Sequence, residues 1–459
     1  MQLTVAEAAR LVTGSVDGDG NVRLTGAEVD SRRVRPGDLF VALKGSRWDG
    51  HIFVDQALTT AAAALVRFDA ELDAAPRGRA LIRVEEPLEA YWSLARQIRA
   101  RRRWRVAVVT GSVGKTTTKD MLAALLAVRH RVGATSGNRN STLGLPAELL
   151  SQAVDLDVFV AEAGMSRPGE LDTLGSILDP QLLLYTRIAP VHTEFFPDLA
   201  GIVRAKAELI RYLDTAGTLV VNADDDNQRG FPSETGAAVL RYGADDADAA
   251  LAGLEDLGLL GSRFRLRLPT GEAQVELPLA GRHQAENLLA AATAASAFGI
   301  TADDVAAVAP GLEPAAHRGR VHRLSNGVIL VDDSYNASPV AMGRLLDLLA
   351  SAPGRRVAVL GEMYELGTGA AAAHRLVGRQ AATACDLLIA VGGDAADELA
   401  RTARSAGLAA ASVHRADTAD GAAELLRGLL ERGDVVLVKG SRGVGLDRAV
   451  DILLGKEAA

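Results

Sequence analysis

The chain has 459 residues, 48% of them hydrophobic and 24% charged, with a formal charge of −8, a single cysteine and 4% aromatics. Its length argues for about three domains, and its ordinary balance of apolar and charged residues excludes a disordered, collagenous or low-complexity chain. The acidic surplus excludes a general nucleic-acid or anionic-membrane binder, the scarcity of aromatics disfavours a base-stacking surface, and Cys385 alone builds neither a disulfide framework nor a cysteine zinc cluster.

The first residues, Met1-Gln-Leu-Thr-Val-Ala-Glu7, show no basic stretch leading into an apolar one, so no signal peptide is expected. No run of about 18 uncharged apolar residues predicts a transmembrane helix. A cytoplasmic location follows as the expectation. Along the chain, strand-like apolar runs alternate with Ala/Leu-rich helical segments, the pattern of parallel α/β domains. A first domain boundary is expected at Glu86-Pro87, before a helix that ends in Arg99-Ala-Arg-Arg-Arg-Trp-Arg105. That basic run reads either as a phosphate-binding patch or as a solvated helix end. The segment from Arg105 to Thr110 predicts a strand, followed by a glycine turn and a helix carrying Met121, Leu122, Leu125 and Leu126. Val158 to Ala161 and Leu182 to Tyr185 predict two more strands. Two prolines and a glycine between Pro310 and Arg318 place the second boundary there. The resulting domains are 1–86, 87–315 and 316–459. In the last, strands at 328–331, 357–360, 387–390 and 435–438 each precede a helical segment, which predicts a Rossmann-like, doubly wound domain.

The chemistry most evident in the sequence lies at Thr110-Gly-Ser-Val-Gly-Lys-Thr-Thr-Thr118. A strand ending in a glycine turn directs backbone N–H groups at a phosphate, and the helix that follows adds its positive dipole end. Gly111, Ser112, Val113, Gly114 and Thr117 would form the cradle. Lys115 would reach the outer phosphates and Thr116 would offer its hydroxyl to Mg²⁺. Val109 stands where the common phosphate-loop pattern has its first glycine, so the motif is the shorter T-G-x-x-G-K-T-T. Such a site requires a carboxylate, and Glu162 ends a strand where its side chain would face the loop. Taken alone, a strand-end Glu162 reads equally as solvated, His192 as a structural histidine and Lys206 as an exposed helical lysine. Ser31, Arg32 and Lys44 alone read as a turn and a solvated rim.

Ten segments taken together carry a resemblance that spans nearly the whole chain. They are TGSVGKTT, GNRNSTLGLP (137–146), VAEAGMSRPGEL (160–171), HTEFF (192–196), AKAEL (205–209), NADDDN (222–227), GRHQAEN (281–287), DDSYNASP (332–339), LGEMYELG (360–367) and VKGSRG (438–443). In this order they resemble the Mur ligases of peptidoglycan synthesis. The resemblance implies three α/β domains: a small uridine-nucleotide domain, a central ATP-binding domain and a Rossmann-like domain for the amino substrate. DDSYNASP and LGEMYELG are similar to the family member that adds D-alanyl-D-alanine to UDP-N-acetylmuramoyl-tripeptide, where the diaminopimelate- or lysine-adding member has D-Y-A-H-T-P. The segment from Asp30 to Gly45, with Asp49-Gly-His51, resembles the uridine-diphosphate-binding domain of these two members.

What the resemblance implies is an ATP-dependent, ADP-forming peptide ligase that works through an acyl phosphate. Lys115 and two Mg²⁺ ions would neutralise the phosphates. Thr116 and Glu162 would hold one ion; His192 and Lys206, the latter as a carbamate (N6-carboxylysine), would hold the other. Asn287 and Asp333 would face adenine and ribose, and Arg320 the γ-phosphate. Ser31, Arg32, Lys44, Asn138, Asn140, Ser141, Tyr335, Asn336, Lys439, Ser441 and Arg442 would meet the UDP-linked peptide and the dipeptide. A monomer is expected, with no nucleic-acid partner and no membrane insertion. Three positions depart from the family pattern: Gln284 where Asn is common, Arg187 where an Asn precedes the metal-site histidine, and Thr193 where Leu is usual. Competing readings are a phosphate-loop switch or motor, which leaves DSRRVRPGDLF without a role, and a non-catalytic UDP-sugar binder, which leaves Lys115, Glu162 and His192 idle. Within the family, the alternative is the ligase that adds diaminopimelate or lysine.

Overall fold

The structure is a computed structural model that describes residues 1–45, 48–72, 77–191 and 193–456. Three α/β layers follow one another along the chain. The first is a five-stranded sheet ordered Ser15–Gly18, Ala80–Val84, Ala63–Arg67, Asp38–Val41 and Gly26–Glu28, parallel except for its first strand. The turn Ser31–Arg33 leaves the carboxyl end of Gly26–Glu28, the edge of a parallel sheet where ligands gather.

The helix Pro87–Ala100 joins this layer to the second. Its start is set by Pro87, whose missing N–H costs nothing in a first turn, and Tyr91, Leu94, Ala95 and Ile98 form its buried stripe. Beyond it, Arg99 is buried with its guanidinium on the carbonyls of Leu178 (2.7 Å) and Asp179 (2.9 Å). Arg102 lies over Trp104 and Arg105 over Phe298. The basic run therefore sits at the start of the strand Arg105–Thr110, the opposite sheet edge from the glycine turn.

The second layer has nine strands: Gly271–Leu277, Ser262–Leu268, Ala249–Asp256, Ala238–Gly243, Thr218–Asn222, Leu182–Tyr185, Arg105–Thr110, Val158–Glu162 and Val132–Ala134, in spatial order. The sheet is parallel from Ala249–Asp256 onward, and its last two strands in sequence extend it in antiparallel fashion. Val106 and Val108 pack on one face with the helices Pro87–Ala100, Gly144–Ser151 and Glu170–Leu178. Ala107 and Val109 pack on the other with Lys115–Leu126 and Arg282–Ser296. This alternation is the period of two a strand imposes, and the fully apolar run reflects burial on both faces.

The third layer is a six-stranded sheet ordered Arg320–Arg323, Ile329–Asp332, Val435–Lys439, Arg356–Gly361, Leu387–Val391 and Val413–Ala416, with only the first strand antiparallel. The four strands expected here are present, each followed by its helix: Pro339–Ala350, Ala370–Ala384, Asp394–Ser405 and Leu446–Leu453. This domain lies against the second, with Arg344 donating to Glu286 at 3.0 Å and the Thr193 hydroxyl donating to the Leu366 carbonyl at 2.9 Å.

Candidate active site

Carboxyl-terminal strand ends of the second and third layers face each other across a cleft of about 530 Å³. The glycine turn forms its floor. Gly114 has φ of +86° and begins the helix Lys115–Leu126; a Cβ there would lie 2.5 Å from Asn287 Oδ1. Gly111 has φ of +142°, and a Cβ on it would fall 2.0 Å from the Thr186 hydroxyl. Both positions therefore require glycine. The turn is clamped from the neighbouring strand end: the Ser112 amide donates to the Arg187 carbonyl at 2.8 Å, and the Thr186 hydroxyl donates to the Val113 carbonyl at 2.8 Å.

Ser112, Val113, Gly114, Lys115, Thr116 and Thr117 all line the cleft. Lys115 Nζ donates to the Ser112 carbonyl at 3.2 Å. Burial holds its ammonium below the usual lysine range, with Glu162 opposing the shift and Arg318 reinforcing it. Glu162 is buried at 3% exposure; its Oε1 accepts from Asn140 Nδ2 at 2.7 Å, whereas Oε2 is buried without a hydrogen-bond partner. Lys206, on the helix Leu199–Ala207, lies behind the turn and outside the cleft lining, and its Nζ donates to the Gly111 carbonyl at 2.9 Å. Burial, with Lys115 nearby, pushes its ammonium well below the ordinary lysine range. His192 lies outside the described residues. Among those described, no cluster of three or more His, Cys, Asp or Glu side chains is arranged to hold a metal ion.

Asn138, Asn140, Ser141, Asn287, Asp333, Tyr335, Asn336, Lys439, Ser441 and Arg442 also line the cleft. Lys439 is buried, ion-paired with Asp333 and bonded to the Asn336 carbonyl at 2.9 Å. Tyr335 lies under two guanidiniums, that of Arg318 at 4.0 Å from the ring centroid and that of Arg442 at 5.3 Å. Ser31, Arg32 and Lys44 lie apart from this cleft on the first layer, with Arg32 exposed and paired with Asp30.

Arg320 does not line the cleft and pairs with Glu313 at 2.8 Å, while Arg318 lines the cleft beside Lys115. The chain turns here, with φ of +59° at His317 and +81° at Gly319, before the strand Arg320–Arg323 begins. His283 and Tyr364, neither singled out from the sequence, also line the cleft. Both stand inside segments that carried the resemblance, which was the one signal that could have found them. Burial pushes the His283 imidazole down to about 4, against the pull of Asp333.

Fold and cleft together define a phosphate-loop nucleotide-binding α/β protein whose site closes between two domains. Residues 23–99 match the Mur ligase family catalytic domain, 109–295 the Mur ligase middle domain and 317–442 the Mur ligase glutamate ligase domain. The chain is 33% identical to the UDP-N-acetylmuramoyl-tripeptide--D-alanyl-D-alanine ligase of Escherichia coli, over 99% of this chain and 98% of the relative. A crystal structure of MurF from Acinetobacter baumannii superposes with a TM-score of 0.88 at 29% identity, covering 99% of both chains. MurF ligase from Thermotoga maritima in complex with ADP gives 0.79 at 29% identity, covering 94% of this chain and 97% of that one. The chain belongs to the Mur ligase family. Among the described residues no helix is long and apolar enough to cross a membrane.

Proposed function

We propose that this chain is the ATP-dependent ligase that joins D-alanyl-D-alanine to UDP-N-acetylmuramoyl-tripeptide, releasing ADP and phosphate, and that it acts in the cytoplasm as a monomer. The observation that carries the reading is the convergence of Lys115, Glu162 and the Asp333–Lys439 pair on one cleft between two domains. Residues 1–86 would hold the uridine nucleotide through Ser31, Arg32 and Lys44, 87–315 would hold ATP, and 316–459 would present the dipeptide.

A carboxylate does not condense with an amine at neutral pH, so it is first activated. A carboxylate oxygen of the tripeptide attacks the γ-phosphorus and ADP departs. The dipeptide amine then attacks the acyl carbon, phosphate leaves with that oxygen, and the amine gives up its proton. Lys115 and Arg318 bring positive charge to the transferring group. The Asp333–Lys439 pair orders the facing strand ends, and Arg442 beside Tyr335 offers a cation to the dipeptide carboxylate.

The residues present fit divalent cations. Glu162 has one carboxylate oxygen buried and unpartnered, the oxygen donor that Mg²⁺ prefers, and Thr116 lines the same cleft. Lys206 fits a carbamate: burial favours its neutral amine, the form that condenses with carbon dioxide to give an anionic carbamate and a proton. Thr116 and Glu162 would hold one ion and carbamylated Lys206 with His192 the second; when bound, the ions supply charge neutralisation to the phosphates.

The test is phosphate release from ATP with UDP-N-acetylmuramoyl-tripeptide and each amino donor in turn. D-Alanyl-D-alanine is expected to support turnover, and diaminopimelate and lysine are not. Turnover with UDP-N-acetylmuramoyl-dipeptide plus diaminopimelate or lysine would instead assign the preceding step.

A further inference from the structure

The turn expected to meet the uridine nucleotide and the loop beside the glycine turn belong to different layers, and one half-buried arginine joins them. Glu28 ends the strand Gly26–Glu28; its Oε1 accepts from the amides of Val29 at 2.9 Å and Asp30 at 3.1 Å, and Asp30 caps the turn Ser31–Arg33. Its other oxygen accepts from the guanidinium of Arg139. Arg139 also reaches Glu148 at 3.3 Å, and Glu148 accepts from the amide (3.1 Å) and hydroxyl (3.0 Å) of Ser136. The three side chains are 7%, 14% and 12% exposed for Glu28, Arg139 and Glu148. One residue further on, Asn140 holds Glu162 Oε1 at 2.7 Å, and its carbonyl accepts from the Gly164 amide at 2.8 Å.

Arg139 does not line the cleft, so phosphate chemistry does not account for it. Nor does stability, because desolvation offsets most of the attraction in a buried ion pair, and an apolar pair of equal volume would hold two domains as well. What a guanidinium shared by two carboxylates supplies is direction: its planar fork fixes how the loop 136–141 sits relative to the turn at Glu28.

We infer that Arg139 is a positioning residue that couples occupancy of the uridine turn to the placement of Asn140, and through Asn140 to the unpartnered oxygen of Glu162. The inference rests on the ligase reading above. Its consequence is that the UDP-linked peptide and a divalent cation strengthen each other's binding, although the uridine end of the one meets the first layer and the other binds at the second. Such coupling is reciprocal, so it is measurable from either side.

The experiment measures Mn²⁺ binding to the full chain by loss of the free-ion paramagnetic signal, with and without UDP-N-acetylmuramoyl-tripeptide. The parent should bind Mn²⁺ at least about fivefold more tightly with the peptide present, the lower end of common allosteric coupling. In Arg139→Met that gain should disappear while Mn²⁺ affinity without the peptide stays within about twofold of the parent. Glu28→Gln preserves the packing and covers the case in which Arg139→Met fails to fold; it should also lose most of the gain. In steady-state assays both variants should lower kcat with the KM for ATP nearly unchanged, a split that general destabilisation does not produce. A variant that folds and keeps the parent's gain would overturn the inference, as would a parent that ligates normally yet shows no gain. A parent that does not bind the UDP-linked peptide at all would overturn the ligase reading, and the coupling with it.

Discussion

Lys206 Nζ donates to the carbonyl oxygen of Gly111 at 2.9 Å, so this buried lysine behind the phosphate turn is held by the backbone of the turn itself. The contact places a second amine close to Lys115 in a buried region, where two ammonium charges repel and burial opposes both. Carbamylation of Lys206 would convert that repulsion into attraction. Lys206→Ala should lower turnover roughly a hundredfold. A short carboxylic acid added to the assay should restore part of the loss by supplying the missing anion. Wild-type-like activity in Lys206→Ala would remove the residue from the account.

Lys115→Ala should fold normally, because the conformation of the turn is fixed by Gly111, Gly114 and the clamp from Thr186 and Arg187. Loss of a cation at the transferring phosphate should lower kcat by about 10²–10³-fold, as loss of other preorganised transition-state donors does. Circular dichroism and Tm would confirm the fold, and phosphate release would measure the loss.

Gly114→Ala should behave differently. The new Cβ meets Asn287 Oδ1 at 2.5 Å and the backbone is held at φ of +86°, so strain and clash add together. A Tm decrease accompanied by loss of ADP binding in calorimetry is the expected pair of results. A variant that binds ADP like the parent would show that the turn relaxes.

His283 titrates in the cleft with its imidazole held down at about 4, burial being the main cause. The sign follows from linkage: the folded state keeps the ring neutral while the unfolded state protonates it below about 6.5. Its contribution to stability is therefore complete above pH 6.5 and lost progressively as pH falls toward 4. With about 1.4 kcal/mol per pKa unit, the loss is on the order of 3 kcal/mol. Urea melts of the parent and His283→Gln between pH 7 and 4 should converge as pH falls; parallel curves would contradict the shift.

Two hydrogen bonds join Thr193 and Glu194 to the third domain. Thr193, which replaces a more usual leucine, donates its hydroxyl to the Leu366 carbonyl at 2.9 Å, and the Glu194 amide donates to the Glu365 carbonyl at 3.3 Å. The third domain is expected to pivot near residues 317–320. Thr193→Val should remove about 1 kcal/mol from the closed arrangement. Solution scattering should then give a larger radius of gyration for the variant than for the parent when a non-hydrolysable ATP analogue and the UDP-linked peptide are bound. Equal radii would show that closure does not rest on this contact.

Much of the fold was legible because parallel strands buried on both faces read as unbroken apolar runs: Arg105–Thr110, Val158–Glu162 and the four strands after residue 328 fall where those runs predict. The antiparallel edge at Ser262–Leu268 and Gly271–Leu277 was missed although Ser-Arg-Phe-Arg-Leu-Arg-Leu alternates plainly, with Phe264 and Leu266 buried and Arg263 and Arg265 exposed. The glycine turn and Glu162 were visible because their chemistry is local. Arg318 was not, because the choice between it and Arg320 depends on the positive φ at His317 and Gly319, and composition does not fix the phase in which a turn delivers a side chain. The Glu28–Arg139 pair joins residues 111 positions apart, beyond any reading of neighbours.

The proposed reaction transfers a phosphoryl group to the acceptor carboxylate, and the dipeptide amine then displaces it as phosphate. The most direct measurement labels the terminal carboxylate of UDP-N-acetylmuramoyl-tripeptide with heavy oxygen and follows phosphate and peptide product by mass spectrometry, with ATP and D-alanyl-D-alanine present. Each phosphate released should carry one labelled oxygen, and the peptide product should have lost one while gaining the dipeptide. Unlabelled phosphate accompanying peptide product would contradict the acyl phosphate, and phosphate released at the same rate without the dipeptide would contradict the ligase.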